Sequence, residues 1–170
     1  MGRRRRVKLK ALAVLRPRQT RDTSLSEAIK LRIARYYVQK MRACFFELGL
    51  CGGGRLRADI FVLAMNGHTV IVEVKSSLAD FRADKKMHLY EPYACQAYCA
   101  MPGSVYLKVK DKILPGWGVF VMSENGHAIQ EVKRATNYDL APGVVNDLWV
   151  RAVFRSADTN GSKSKVPKVL

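Results

Sequence analysis

Arg57-Ala58-Asp59-Ile60-Phe61-Val62-Leu63-Ala64-Met65-Asn66-Gly67-His68-Thr69-Val70-Ile71-Val72-Glu73-Val74-Lys75 is the stretch on which the reading of this chain turns. Two runs rich in β-branched and aromatic residues flank an Asn-Gly pair, so residues 57–65 and 68–75 read as the strands of a hairpin. Three ionisable side chains interrupt them: Asp59, Glu73 and Lys75. A charge in such company costs free energy unless it is paired or bound to a metal ion. Two neighbouring carboxylates repel, and a divalent cation relieves that repulsion. Lys75 stands two residues after Glu73, so both project from one face of a strand. From there the lysine can orient or deprotonate a water, or stabilise charge on a phosphorane-like state.

Whether the two carboxylates meet depends on the loop. A two-residue Asn66-Gly67 turn pairs Asp59 with Val74 and sends Asp59 and Glu73 to opposite faces. A three-residue loop, Met65-Asn66-Gly67 with Gly67 left-handed, pairs Ala64 with His68 and sets Asp59 opposite Glu73. A shared site therefore requires the longer loop or an equivalent bulge. Read alone, one Asp-x(13)-Glu-x-Lys match also suits a salt-bridge set on a half-exposed hairpin.

Outward from the hairpin, Ser24-Leu25-Ser26-Glu27 is a capping-box signature. Apolar residues then recur at helical spacing through Leu48, which predicts one long amphipathic helix over about 24–48, stopped by Gly49. Glu27 falls away from its apolar stripe, so it caps. Cys51 to Gly54 reads as a flexible link or a short irregular strand. After the hairpin, residues 76–100 predict a loop and a helix interrupted near Pro92. Residues 104–109 and 118–122 read as strands. Asn125-Gly126 marks a second hairpin turn with 128–133 returning, and residues 142–155 read as a closing helix. This order gives an α/β fold, a mixed central sheet flanked by helices. Residues 1–23 read as a basic N-terminal arm, 24–155 as one domain, and 156–170 as a loose basic tail.

The 170 residues carry 30 Lys and Arg against 14 Asp and Glu, a net charge of +16. Residues 1–21 hold nine basic residues and no acid, and residues 151–170 a net +4, so the interior is nearly balanced. Such arms suit a polyanion, through Arg3, Arg4, Arg5, Arg6, Lys8, Lys10, Arg16 and Arg18, with Arg57 beside the hairpin. No apolar run approaches about 18 residues, and the start lacks a clean apolar core and cleavage site, which argues against a membrane span and a secretory signal. Four cysteines without such a signal predict reduced thiols in an intracellular, cytoplasmic setting.

The run Glu73-Val74-Lys75-Ser76-Ser77-Leu78-Ala79-Asp80-Phe81-Arg82-Ala83-Asp84-Lys85-Lys86, with Arg57-Ala58-Asp59 before it and Tyr90 and Cys95 after it, resembles the MmcB-like family. That family is regarded as a branch of the PD-(D/E)XK nuclease superfamily and is associated with DNA repair. The resemblance covers roughly residues 55–155. It implies a PD-(D/E)XK, restriction-endonuclease-like core, with Asp59 and Glu73 as ligands to Mg2+ or Mn2+ and Lys75 as the catalytic lysine. Met87 stands where the family usually has tryptophan, Gln96 where aspartate is common, and a glycine run replaces the segment before Arg57. The basic arms lie outside the resemblance.

Supporting candidates follow the second strand. Asp80, Asp84, Lys85 and Lys86 line a substrate groove or support Lys75, and either aspartate can instead cap the next helix. Tyr90 and Tyr93 can stack on a base, although tyrosine on a half-buried helix face is the commoner case. Cys95 and Cys99 would share one helical face, yet their spacing matches no strong zinc or cluster motif and buried free thiols are the ordinary outcome. The expected function is metal-dependent hydrolysis of DNA phosphodiester bonds in repair or phage DNA metabolism, with DNA preferred to RNA as partner and no membrane. The alternative is a catalytically inactive nucleic-acid-binding module on the same fold.

Overall fold

The computed structural model describes residues 24–52 and 56–157, so the arm residues 1–23, the glycine-run residues 53–55 and the tail beyond 157 lie outside it. The chain opens with α1 (Leu25–Val38). Ser24 caps it by accepting the Glu27 N–H at 3.3 Å, as the capping box predicts. Ile29, Ile33 and Tyr37, spaced four apart, are its buried stripe.

The predicted 24–48 helix is corrected here. It ends at Val38, and β1 (Ala43–Gly49) follows. The break is made by Met41 at φ 58. The Arg42 N–H closes onto Tyr37 O at 3.1 Å and the Met41 N–H onto Val38 O at 3.0 Å, a Schellman-type ending. Glycine normally fills the left-handed position, so methionine there left no sequence signal.

β2 (Arg57–Leu63) and β3 (Thr69–Val74) form the predicted hairpin. Ala64 N–H donates to His68 O at 2.9 Å and Gly67 N–H to Ala64 O at 3.0 Å, with Gly67 at φ 84. This is the three-residue loop with left-handed glycine. Its register runs from Leu63 opposite Thr69 to Ile60 opposite Val72, so the next pair in line is Asp59 and Glu73.

Beyond β3 come α2 (Leu78–Ala83), a 3-10 segment over Met87–Tyr93, β4 (Gln96–Pro102), α3 (Gly103–Val109), β5 (Gly118–Met122), β6 (Ile129–Lys133) and α4 (Pro142–Ala157). Two further expectations are corrected. Residues 96–100 are strand, not helix, because β4 lies between β3 and β5 in parallel and is buried on both faces. Such a strand shows no alternation, and its Ala, Gln and Met are good helix formers. Residues 104–109 are helix, not strand: Val105 and Val109, four apart, face the core. Cys95 and Cys99 therefore share no helical face. All four thiols are free.

The sheet order is β1-β2-β3-β4-β5-β6, with β3, β4 and β5 parallel and the other pairings antiparallel. One face packs on α1 through Ile60, Val62, Val70, Val72 and Phe120. The other packs on Tyr90, Val105, Val109 and Leu148 from the 3-10 segment, α3 and α4 through Phe61, Ile71, Cys99 and Val119. This is a mixed six-stranded sheet between helical layers, the α/β class expected.

Candidate active site

Side-chain alternation in β1 and β2 changes phase on a single rung. In β2, Ile60 and Val62 face α1 while Phe61 and Leu63 face the opposite core, yet Ala58 also lies in that opposite core. β1 does the same: Cys44 and Phe46 pack toward α1, whereas Leu48 packs away from it. Glu47 takes up the change at φ 56. The pairs Phe46–Ile60 and Leu48–Ala58 flank this rung, so Glu47 and Asp59 sit across from each other. Both reach the ammonium of Lys30 on α1. Lys30 bonds Glu47 Oε1 and lies 2.8 Å from Asp59 Oδ1. Arg57 pairs with Glu47 Oε2 at 2.8 Å.

Where the β2–β3 ladder would continue, side chains replace it. Glu73 Oε1 accepts the Asp59 N–H at 3.1 Å, and Asp59 Oδ2 accepts the Val74 N–H at 2.9 Å. The two carboxylates thus cross onto each other's strand and fix each other's position. Lys75 continues past the end of β3, its N–H held by Ala100 O at 2.9 Å. Its ammonium lies 3.6 Å from Glu73 Oε2 and 2.5 Å from Asp84 Oδ2. Glu73 and Lys75 are each only 4% exposed, the two buried charged residues of the described chain. The site sits at the carboxyl end of β3, where parallel strands of an open sheet present their crevice.

Burial first, and then the Asp59 charge, push the Glu73 carboxyl up to about 7, with Lys75 only partly offsetting them. Burial also works against charge on Lys75, but the Asp84 hydrogen bond and the Glu73 charge win, and its pKa is raised. Asp84 is depressed by the same contact and by the Lys86 N–H despite its own burial. Lys30 follows Lys75: burial is outweighed by Asp59 and Glu47, and its pKa is raised. Both ammonium groups are therefore cations at neutral pH.

The supporting candidates separate clearly. Asp84 reaches into the site. Asp80 is a helix-end residue: its N–H bonds Ser77 Oγ at 3.1 Å and its carboxylate takes the Ser76 N–H at 3.1 Å. Tyr90 is buried, edge-on to Trp117, with its hydroxyl donating to Arg57 O at 3.2 Å. It packs the wall of the site and presents no free ring for stacking. Lys85 and Lys86 are exposed beside Asp84. Arg57 is exposed apart from Glu47, and the arm residues Arg3 to Arg18 lie outside the described residues. Sequence reasoning missed Lys30 and Glu47. Glu47 carried the same signal as Asp59, an acid between Phe46 and Leu48, but was hidden by the helix assignment.

Asp59 and Glu73 could hold a divalent cation. Among the described residues no three His, Cys, Asp or Glu side chains gather as a ready ligand set. Two carboxylates with the remaining positions left to water and phosphate suit Mg2+, which is commonly held that way. The upward push on Glu73 is the strain such a cation would remove. The donor chemistry fits.

A family model described as DNA repair protein MmcB-like matches residues 16–159 of the chain. Among solved structures, a protein of unknown function from Silicibacter pomeroyi superposes with a TM-score of 0.72 at 20% identity, covering 87% of this chain and 99% of that one. That likeness bears on the fold alone. No curated protein matches the chain.

Proposed function

The chain belongs to the MmcB-like family of DNA repair proteins, and from that premise we propose that it is a metal-dependent nuclease of the PD-(D/E)XK type acting on DNA. The observation that carries the reading is the mutual crossing of Asp59 and Glu73, with the Lys75 ammonium 3.6 Å from Glu73. A buried carboxyl held up by burial and by a half-buried carboxylate beside it is the arrangement that functional sites use to tune their groups.

Asp59 and Glu73 would hold Mg2+ or Mn2+. When bound, such a cation supplies polarisation of the scissile phosphate and an activated water. Lys75 stays protonated, so its work is to donate to a phosphoryl oxygen or to orient the water rather than to take a proton. Asp84 keeps that ammonium charged and pointed at Glu73. The basic arm would hold the DNA backbone without reading sequence. Among the described residues no helix is long and apolar enough to cross a membrane.

The test is cleavage of single- and double-stranded DNA with magnesium or manganese, beside Glu73→Ala and Lys75→Ala. Each variant is expected to lose about a hundredfold or more in rate. Full activity in both would end the assignment. One observation favours a second reading, a binding module without catalysis: the Lys30 ammonium already rests on Asp59 as a permanent counter-ion. Calorimetry with manganese separates the two. The nuclease reading expects binding that disappears in Asp59→Ala, and the module reading expects no metal binding beside tight DNA binding.

A further inference from the structure

An open groove of about 430 Å³ adjoins the site on the far side of Asp84. Its apolar lining is Phe81, Met87 and Leu114, of which Met87 is buried and the other two half-buried. Arg82, Lys85 and Lys112, all exposed, carry its charge. Half-buried Asp84 and exposed His88 complete the lining, so cations outnumber carboxylates around the groove. Among the described residues none of these three cations has a carboxylate within 4.0 Å, ion pairs being confined to Lys30, Arg57, Lys75 and Arg151. Asp84 lines the groove and holds Lys75, so groove and site share a wall.

We propose that this groove seats one unpaired nucleotide of a DNA strand, with its base against Phe81, Met87 and Leu114 and its phosphates on Arg82, Lys85 and Lys112. The volume belongs to the range of small-ligand sites. Apolar side chains beside three cations match a base carried between phosphates, whereas a free phosphate would leave the apolar lining unused. A base stacked in a duplex cannot present its face to such a lining, so the occupant must be single-stranded or turned out of the helix. The choice of DNA and the position beside the scissile bond rest on the nuclease reading; the binding itself does not. The substrate class that follows is DNA with an unpaired segment, such as a single strand or the strand at a junction.

Fluorescence anisotropy tests this with the full chain and EDTA present, so that nothing is cleaved. The probes are a labelled oligonucleotide of about twelve nucleotides and the same strand annealed to its complement. Lys85→Glu combined with Lys112→Glu is expected to weaken single-strand binding about fivefold or more and duplex binding less than about twofold. Phe81→Leu, which keeps the apolar volume and removes the aromatic face, is expected to shift the ratio the same way. Should Phe81→Leu melt early, the exposed lysine pair carries the test alone. Equal losses on both probes, or none, overturn the proposal. A wild-type chain that cleaves no DNA, with the selective loss still seen in the variants, would end the nuclease reading and leave this groove standing.

Discussion

At the scale of single residues, the site holds its carboxylates between two cations that do different work. Lys75 is tied to Asp84, whereas Lys30 is tied to Asp59 itself and competes for the position a divalent ion would take. Lys30→Met is therefore expected to tighten manganese binding several-fold by calorimetry; unchanged or weaker binding would show that the ammonium is no competitor. Glu73 gives a pH dependence. Its carboxyl stands near 7 in the folded chain against 4.5 unfolded. Its contribution to the stability of the metal-free chain is thus complete below about 4.5 and is lost as pH rises through about 7. Manganese must displace that proton, so affinity is expected to climb between about pH 5.5 and 7 and level off above it, with no such climb in Glu73→Gln. Asp59, Glu73 and Lys75 were legible because ionisable residues inside apolar strands stand out. Lys30 was not, since a helix lysine is ordinarily solvated and only the tertiary fold turns this one inward.

At the scale of elements, the sequence spoke clearly where a special backbone conformation fell on the expected residue. Gly67 closes the loop that sets the β2–β3 register, and Gly126 at φ 69 turns the β5–β6 hairpin. It was silent where methionine does a glycine's work. Met41 is 74% exposed and left-handed, so Met41→Gly loses little packing and relieves the backbone. The gain expected is roughly 0.5–1 kcal/mol, after the entropy cost of glycine, read as a rise of a few degrees in melting temperature. A fall in melting temperature would mean that Met41 makes contacts worth more than its strain. β4 was unreadable for another reason. A strand covered on both faces has no period, and composition then points to whichever element its residues prefer in isolation. The break at Glu47 and Asp59 was equally hidden, because a change of phase shared by two strands shows only once they are paired.

At the scale of the molecule, helical layers, mixed sheet and central hairpin were all readable from the order of periodic segments, even though two strands, β1 and β4, were read as helix and one helix, α3, as strand. The net charge reads differently after the fold is known. Nine of the basic residues stand in 1–21, outside the described core. Deleting 1–21 is expected to flatten the salt dependence of duplex binding, lowering the slope of log K against log salt by up to about 8. A slope that does not move would place the phosphate contacts on the folded domain instead. β1 is the outermost strand on its side of the sheet and is mostly apolar. A long flat edge of that kind invites a second chain to add a strand. Here the left-handed turn at Glu47 interrupts the row of backbone donors and acceptors, and Arg155 of α4 covers the Phe46 carbonyl at 3.3 Å. The kink that brings Glu47 to Lys30 thus also guards the protein against stacking edge to edge with its own copies.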